Sequence, residues 1–314
     1  MAANNIDILT ASEVMARGLL FVGFSRTSQA IMPHNRLLDE FRAHYGCLPI
    51  DLAQIWYDLQ TTELPGIALT EEEKNFKSFT MFMASNFFLW AHTKNANMLV
   101  SRFGISKREI QSESFWKWIH KMGALHEDKI RWDEKFGDGN YAIFVASMDC
   151  VDFDVWEKPS DRYNLDKKLM SYKSRHGALR YLIALSVWES KAVFIDGPVK
   201  AGTVNDVSLF RRSLKQRMLE LPGKMIIADG GMGSSEPDEL GIVSIPNESD
   251  PIDLHRFKAR ARQRQESFNG RLKKFKILQD TFRFSWEKHE HVFKAVCVRV
   301  SYAMVSGSPL FDVL

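Results

Sequence analysis

Apolar residues recur at helical spacing throughout the N-terminal part of the chain. In residues 34–46, HNRLLDEFRAHYG, the apolar positions repeat at intervals of three and four and stop at a glycine, as in an amphipathic helix. Thr70 precedes Glu73 by three residues, which is the spacing of a capping box and predicts the start of another helix. The pattern predicts an N-terminal helical region over residues 1–75 and a second one over 76–138.

The second region contains two short helical segments around a glycine turn. Asn95–Phe103 precedes the turn at Gly104, and Ser106 is placed to cap the next helix. That helix directs four apolar residues inward, namely Ile110, Phe115, Trp118 and Ile119. Its outward positions are Lys107, Arg108, Gln111 and Ser112. The pattern predicts a helix-turn-helix whose early second-helix residues, Lys107, Arg108 and Gln111, contact DNA, although ordinary helical bundles contain such turns too.

The periodicity changes near Asn140, where short apolar runs replace the helical pattern. Four runs predict strands, at residues 141–150, 179–188, 191–199 and 224–231. The short polar turn between the second and third runs predicts an antiparallel hairpin, and residues 205–221 predict a helix before the fourth. We therefore expect an α/β domain with a mixed sheet over residues 139–314.

Three acidic residues stand at notable places in these elements. Asp149 closes the first predicted strand, Asp229 closes the fourth, and Glu266 lies on a later helix. If the fourth strand lies parallel beside the first, the two aspartates meet, and a helix packed there brings the glutamate. Three neighbouring carboxylates repel one another unless cations lie among them, and such ligands suit Mg²⁺ or Mn²⁺. Two such ions can activate water and stabilise the leaving oxygen of a phosphodiester.

Glu266 lies within a strongly basic segment. The whole chain has a net charge of only +3, so the positive charge is local and indicates a binding face. We expect Arg260, Arg262, Arg271 and Lys273 to bind DNA phosphates. A simpler interpretation of the acid is a surface ion pair with Arg262, four residues earlier on the same helix.

Composition excludes several other classes of protein. The three cysteines are widely spaced and form no CxxC motif, so neither a zinc site nor a disulfide framework is predicted. The most apolar segment, residues 79–91, is shorter than the roughly 18 residues that a membrane span needs. The N-terminus lacks the pattern of a signal peptide. We expect a soluble protein of a reducing compartment, without a membrane partner.

Four segments together resemble the DDE transposases of the PIF/Harbinger group. They occur in the family's order: MDCVDF, AGTVNDVSLF, IADGG and RARQRQESFNGRLKKFKIL. The last is the most specific, since it matches the pattern R-x-x-x-E-x-x-x-G-R-L-K. The resemblance covers about residue 140 to the C-terminus, and VSRFGISKREI resembles the helix-turn-helix that the family places upstream. It implies a ribonuclease-H-like mixed sheet flanked by helices, preceded by an all-α helix-turn-helix region.

The resemblance also implies a function. It is that of a DNA endonuclease or transposase that cleaves and joins phosphodiesters with two Mg²⁺ or Mn²⁺ ions. Asp149 and Glu266 match the family's first and last catalytic acids. Topology favours Asp229 as the middle acid, while Asp206, in AGTVND, is kept as a fourth candidate metal ligand. The implied partners are double-stranded DNA, both terminal repeats and target, a Myb-like helper protein and further copies of the chain, in the nucleus.

Two departures from the family pattern leave an alternative open. The family often has glycine and then histidine after its first aspartate, where this chain has Cys150 and Asp152. Met232 occupies a position that is usually aromatic. Neither departure removes a carboxylate. The alternative is a catalytically inactive, domesticated DNA-binding protein derived from a transposon.

Overall fold

The computed structural model describes residues 9–91, 96–132, 141–156, 167–232, 239 and 241–313. The chain divides into two compact units. The first comprises Met1–Lys129, Leu272–Asp280 and Ser285–Ser308, and the second comprises Ile130–Arg271, Thr281–Phe284 and Pro309–Leu314. The predicted domain boundaries after residues 75 and 138 stay predictions.

The first unit is helical. Its helices are α1 (Ala11–Phe21), α2 (Arg26–Ile31), α3 (His34–Tyr45), α4 (Pro49–Thr61), α5 (Phe76–Ala91), α6 (Ala96–Phe103), α7 (Lys107–Gln111), α8 (Glu113–Ala124), α9 (His126–Lys129), α12 (Lys276–Gln279) and α13 (Trp286–Ser306). The fully buried Trp56 of α4 belongs to its core. Its ring lies 5.3 Å from that of Phe79 and 5.8 Å from that of Trp118, measured between centroids. Aromatic packing therefore joins α4, α5 and α8.

The capping box predicted at Thr70 is present, but it caps a single 3-10 turn over Glu71–Glu73, and α5 begins only at Phe76. Glu73 then binds Lys121 of α8, whose Nζ lies 3.0 Å from Oε2. Burial by itself would raise the pKa of Glu73. Hydrogen bonds from Lys117, the Thr70 N–H and Lys121 outweigh burial and lower that pKa to about 2.

The predicted helix-turn-helix segment contains the expected turn and a different second helix. Gly104 has a left-handed φ of +66° after α6, and Ser106 caps α7 in a capping box with Glu109. The prediction of one continuous second helix is wrong, because Ser112 is extended and separates α7 from α8. The four residues predicted to face inward, Ile110, Phe115, Trp118 and Ile119, are all buried. Lys107, Arg108 and Gln111 are exposed as expected, whereas Ser112 is half-buried.

Within the described residues, the second unit is built on a five-stranded mixed sheet. Its elements are β1 (Phe144–Asp154), β2 (Ala178–Ser186), β3 (Ala192–Lys200), α10 (Asp206–Leu219), β4 (Met225–Ile227), β5 (Val243–Ser244) and α11 (Ile252–Leu272). The strand order is β3-β2-β1-β4-β5. The β2–β3 hairpin is antiparallel, as predicted, and β4 lies parallel beside β1, which is the condition set above for the two aspartates to be neighbours. The prediction of an α/β fold with a mixed sheet flanked by helices is confirmed.

The helices α10 and α11 pack against the sheet through separate apolar clusters. The α10 cluster joins Leu209 and Phe210 to Met148 and Cys150 of β1. The α11 cluster joins Phe257 and Ala261 to Phe144, Val187, Ile227 and Val313. Successive side chains of a strand point to opposite faces. In the central part of β1, residues 148, 150 and 152 therefore face the α10 side, and residues 147 and 149 face the α11 side.

Candidate active site

Asp149 lies in the middle of β1 and points toward α11. The expectation that it closes the strand is wrong, because β1 continues to Asp154. Its Oδ1 accepts a hydrogen bond from its neighbour Cys150 N–H at 2.8 Å, and its Oδ2 accepts one from Asn269 Nδ2 of α11 at 2.9 Å. Burial raises the pKa of Asp149. The positive charge of Lys173 and the Cys150 N–H oppose that rise, and the negative charges of Asp206 and Asp229 add to it.

Asp229 follows β4 after one residue, at the end that lies beside β1. Its side chain is 58% exposed, and its Oδ1 accepts the Gly230 N–H at 2.8 Å. The same oxygen lies 2.5 Å from Arg262 Nη2 of α11. The β1 acid and the β4 acid therefore line one cavity, and Arg262, which lines it too, pairs with the β4 acid.

The position of Glu266 follows from how α11 is anchored on the sheet. Gln265 is buried, accepts from Ser147 Oγ at 3.1 Å and donates to the Ile183 carbonyl at 3.3 Å. Asn269, one turn later, donates to Asp149. These contacts fix the rotation of the helix, and Glu266 comes next to Gln265 at its exposed edge. Among the described residues, Glu266 has no ion-pair partner, so the suggested pair with Arg262 is not formed.

The three predicted catalytic acids line a single cavity. It has a volume of about 40 Å³ and is lined by Met148, Asp149, Asp229, Arg262, Gln265 and Glu266. A cavity of this size can hold a water molecule or a small ion. Within the described parts of the chain, however, no group of three or more histidine, cysteine, aspartate or glutamate side chains is arranged to hold a metal ion. The acids thus line the cavity without converging on one point.

Asp206 lies in a different group of charges. It is the first residue of α10, and its Oδ1 is 2.8 Å from Arg180 Nη1. Arg180 also holds Asp152 through two hydrogen bonds, 2.7 Å to Oδ1 and 2.9 Å to Oδ2. Lys173 Nζ lies 3.9 Å from the other oxygen of Asp206. The structure therefore places Asp206 and Asp152 in an ion-pair group with Arg180, outside the lining of the cavity.

Besides Arg262, two of the arginines expected to bind DNA are engaged by backbone carbonyls of the chain itself. Arg260 Nη2 donates to the carbonyl oxygen of Asp312 at 2.5 Å, and Arg271 Nη2 donates to that of Pro309 at 2.9 Å. The guanidinium of Arg260 also lies 5.7 Å from the ring centroid of Phe311. Lys273 is exposed. Among the four predicted phosphate-binding residues, only Arg262 lines the cavity, and the binding of DNA stays a prediction for all four.

Sequence patterns did not reveal the supporting residues Gln265, Asn269 and Arg180. The two amides lie in a polar, basic helix, where they look like ordinary surface residues. A weak signal existed, because Gln265 and Asn269 are four residues apart and share one face of a helix with Ala261 and Phe268 nearby. Arg180, by contrast, interrupts an apolar strand, and a buried charge there needs a polar or charged partner.

Comparisons with protein-family models, with curated proteins and with solved structures found no match for this chain. No family is assigned to the chain on this basis. In the described residues, no helix has the length and apolar character needed to cross a membrane.

Proposed function

We propose that the second unit is a divalent-metal-dependent DNA endonuclease of the DDE type with a ribonuclease-H-like sheet. One observation supports this most directly: Asp149, Asp229 and Glu266, which are far apart in the sequence, line one cavity. They come from β1, from the end of the parallel neighbour β4, and from a helix packed on the sheet. The same elements carry the segments that resemble the PIF/Harbinger transposases.

The chemistry of the cavity suits Mg²⁺ or Mn²⁺. Its potential ligands are carboxylate oxygens, which these hard cations prefer. Burial and neighbouring carboxylates raise the pKa of Asp149, and a cation would offset both effects. Asp149, Asp229 and Glu266 would hold the metal, and Asp206 would stay with Arg180. When bound there, a divalent ion would supply activation of water and stabilisation of the leaving oxygen of a phosphodiester.

The chain's own residues prepare this site before any ion binds. Asn269 orients Asp149 by donating to Oδ2. The other oxygen, Oδ1, accepts the Cys150 N–H and is the one that would also contact a ligand. Gln265 holds α11 at a fixed rotation on the sheet. No ion pair of Glu266 has to break first, since it has none among the described residues. The basic face of α11 would attract the phosphate backbone toward the acids.

A second candidate function is DNA binding without cleavage. The observation that favours it is the lack, among the described residues, of a converged group of metal ligands. Arg262 already neutralises Asp229 in the cavity. The exposed residues Lys107, Arg108 and Gln111 of α7 would then carry the function. This candidate corresponds to a domesticated transposon protein.

The first candidate predicts Mn²⁺-dependent nicking of DNA that depends on Glu266. Replacing Glu266 by glutamine removes one carboxylate charge from the cavity and is expected to lower the nicking rate at least about a hundredfold, since metal ligands contribute several kcal/mol to catalysis. The rate is measured with supercoiled plasmid that carries terminal inverted repeats. Glu248→Gln is the matched control, because Glu248 is exposed and does not line the cavity. Equal nicking by the wild type and Glu266→Gln would contradict the proposal.

A DNA-binding assay distinguishes the second candidate function from the first. If α7 contacts DNA, Lys107→Ala combined with Arg108→Ala weakens binding. It also reduces the salt slope of log K by about 0.9 for each phosphate that the variant no longer neutralises. Weaker DNA binding by this variant, with no nicking by the wild type in Mn²⁺ or Mg²⁺, would favour the second candidate over the first.

A further inference from the structure

Arg262 occupies a distinctive place in the carboxylate cavity. Of the six described residues that line it, three are acidic and Arg262 alone is cationic. It lies one helical turn before Glu266, so both side chains leave α11 on the same face. Its guanidinium nevertheless reaches across to Asp229, with Nη2 2.5 Å from Oδ1. The contact joins the helix to the end of β4.

This contact puts a permanent positive charge among the acids. Arginine does not lose its proton in proteins, so its charge is present at every ordinary pH. The guanidinium offsets part of the mutual repulsion of Asp149, Asp229 and Glu266. It also takes up an oxygen of Asp229 that a metal ion would need. Arg262 therefore offsets part of the negative charge of the cavity, as a divalent ion would, but it contacts only one of the three acids, Asp229.

We propose that Arg262 is a built-in counter-cation of the cavity, and that a divalent ion binds by displacing its guanidinium from Asp229. This inference rests on the proposed metal-dependent function and adds a determinant of metal affinity to it. The pair is displaceable, because the side chains of Arg262 and Asp229 are 38% and 58% exposed, and ion pairs with that exposure are weak. The displaced guanidinium, on its long side chain, would stay beside the acids and could bind a DNA phosphate.

The test is the affinity for Mn²⁺ in the absence of DNA, measured by calorimetry and by the electron paramagnetic resonance of free Mn²⁺. Arg262→Ala is expected to bind Mn²⁺ about tenfold more tightly than the wild type, because it removes both a competitor for Asp229 and a like charge near the ion. Arg262→Lys keeps the charge and is expected to stay within about threefold of the wild type.

Two further variants separate this role from a general change of charge. Arg256→Ala removes the same charge from the exposed surface of α11, away from the cavity lining. It should leave Mn²⁺ affinity within about twofold of the wild type, because exposed charges are screened. In an Asp229→Asn background, Arg262→Ala should not increase the affinity for Mn²⁺, since the effect of Arg262 depends on its contact with Asp229.

Each outcome decides the proposal. Equal affinities in Arg262→Ala and Arg256→Ala would overturn the counter-cation role while leaving metal binding intact. Absence of Mn²⁺ binding in every variant would overturn the metal-dependent function and this inference with it. Binding by Arg262→Ala but not by the wild type would support the counter-cation role, and it would favour the non-cleaving candidate for the natural protein.

Discussion

At the scale of single residues, Arg180 is a buried arginine that pairs with two of the acids, Asp152 and Asp206. Its side chain is 7% exposed and is held by Asp152, which is 6% exposed, as well as by Asp206. Hydrogen bonds to Asp152 raise the pKa of Arg180, so it stays charged in the interior. This group joins β1, β2 and the start of α10, and it gives Asp206 a structural role.

Loss of Arg180 is expected to destabilise the second unit strongly. Arg180→Met leaves the buried Asp152 carboxylate without its cationic partner, although Ser171 Oγ still donates to it at 2.6 Å, and should lower the free energy of unfolding by about 3–5 kcal/mol. Arg212→Met is the control, since Arg212 pairs with Asp196 at 3.0 Å on the half-exposed surface and should cost at most about 1 kcal/mol. Urea unfolding, followed by tryptophan fluorescence, measures both. Similar losses in the two variants would show that the Arg180 group has no special structural role.

At the scale of elements, two glycines differ in whether the backbone requires them. Gly104 has a φ of +66° at the end of α6, with no atom within 4 Å of an added Cβ, so its backbone angle is what an alanine would strain. Gly270 lies within α11, also in open space, and its φ is not left-handed. A helical alanine there loses less backbone entropy on folding than glycine does.

The two corresponding alanine variants should therefore shift stability in opposite directions. Gly104→Ala is expected to lower the free energy of unfolding by about 1–2 kcal/mol, the cost of a left-handed conformation for a residue with a Cβ. Gly270→Ala should raise it by about 0.5–1 kcal/mol. Thermal melting measured by circular dichroism checks both signs. A stabilising Gly104→Ala would show that the turn between α6 and α7 has a different backbone conformation.

At the scale of the whole molecule, the stability of the chain should depend on acid pH through His289 of α13. This side chain is fully buried, and burial lowers its pKa to about 3 from the usual 6.5. The unfolded chain therefore binds more protons at this histidine between those two values. Its contribution to stability is complete above pH 6.5 and is lost as the pH falls toward 3.

Replacing His289 by glutamine should remove this sensitivity. Below pH 6.5 the wild type is expected to lose up to about 1.4 kcal/mol of unfolding free energy per pH unit that His289→Gln does not lose. His34→Gln, at an exposed position on α3, serves as the control. The measurement is urea unfolding at half-unit steps from pH 7 to pH 4.5, and because carboxylates such as Glu73 titrate alike in both proteins, the difference between the two curves isolates His289. Parallel pH curves for the wild type and His289→Gln would contradict the expectation.

Sequence patterns determined much of the fold and the membership of the candidate site. Hydrophobic periodicity depends on local backbone geometry, so the change from helices to strands near residue 140 could be located from the chain alone. Capping boxes at Thr70 and Ser106 are likewise local, and both are present. The places of Asp149, Asp229 and Glu266 in the predicted strands and helix led to the prediction that they are neighbours, and the three line one cavity. The β5 strand, two residues long, is too short to give a periodic signal.

Only the tertiary structure decided which partner each of these residues has. Asp206 and Asp229 were both candidates, and the pleat of β1 separates them, because Asp149 faces α11 whereas Asp152 faces the Arg180 group with Asp206. Arg262 could pair locally with Glu266, but the packing of α11 beside β4 gives it Asp229 instead. The physical reason is that spacing along a helix defines only local neighbours. The pairing of strands and the rotation of a helix on a sheet decide which distant charges come within a few ångströms.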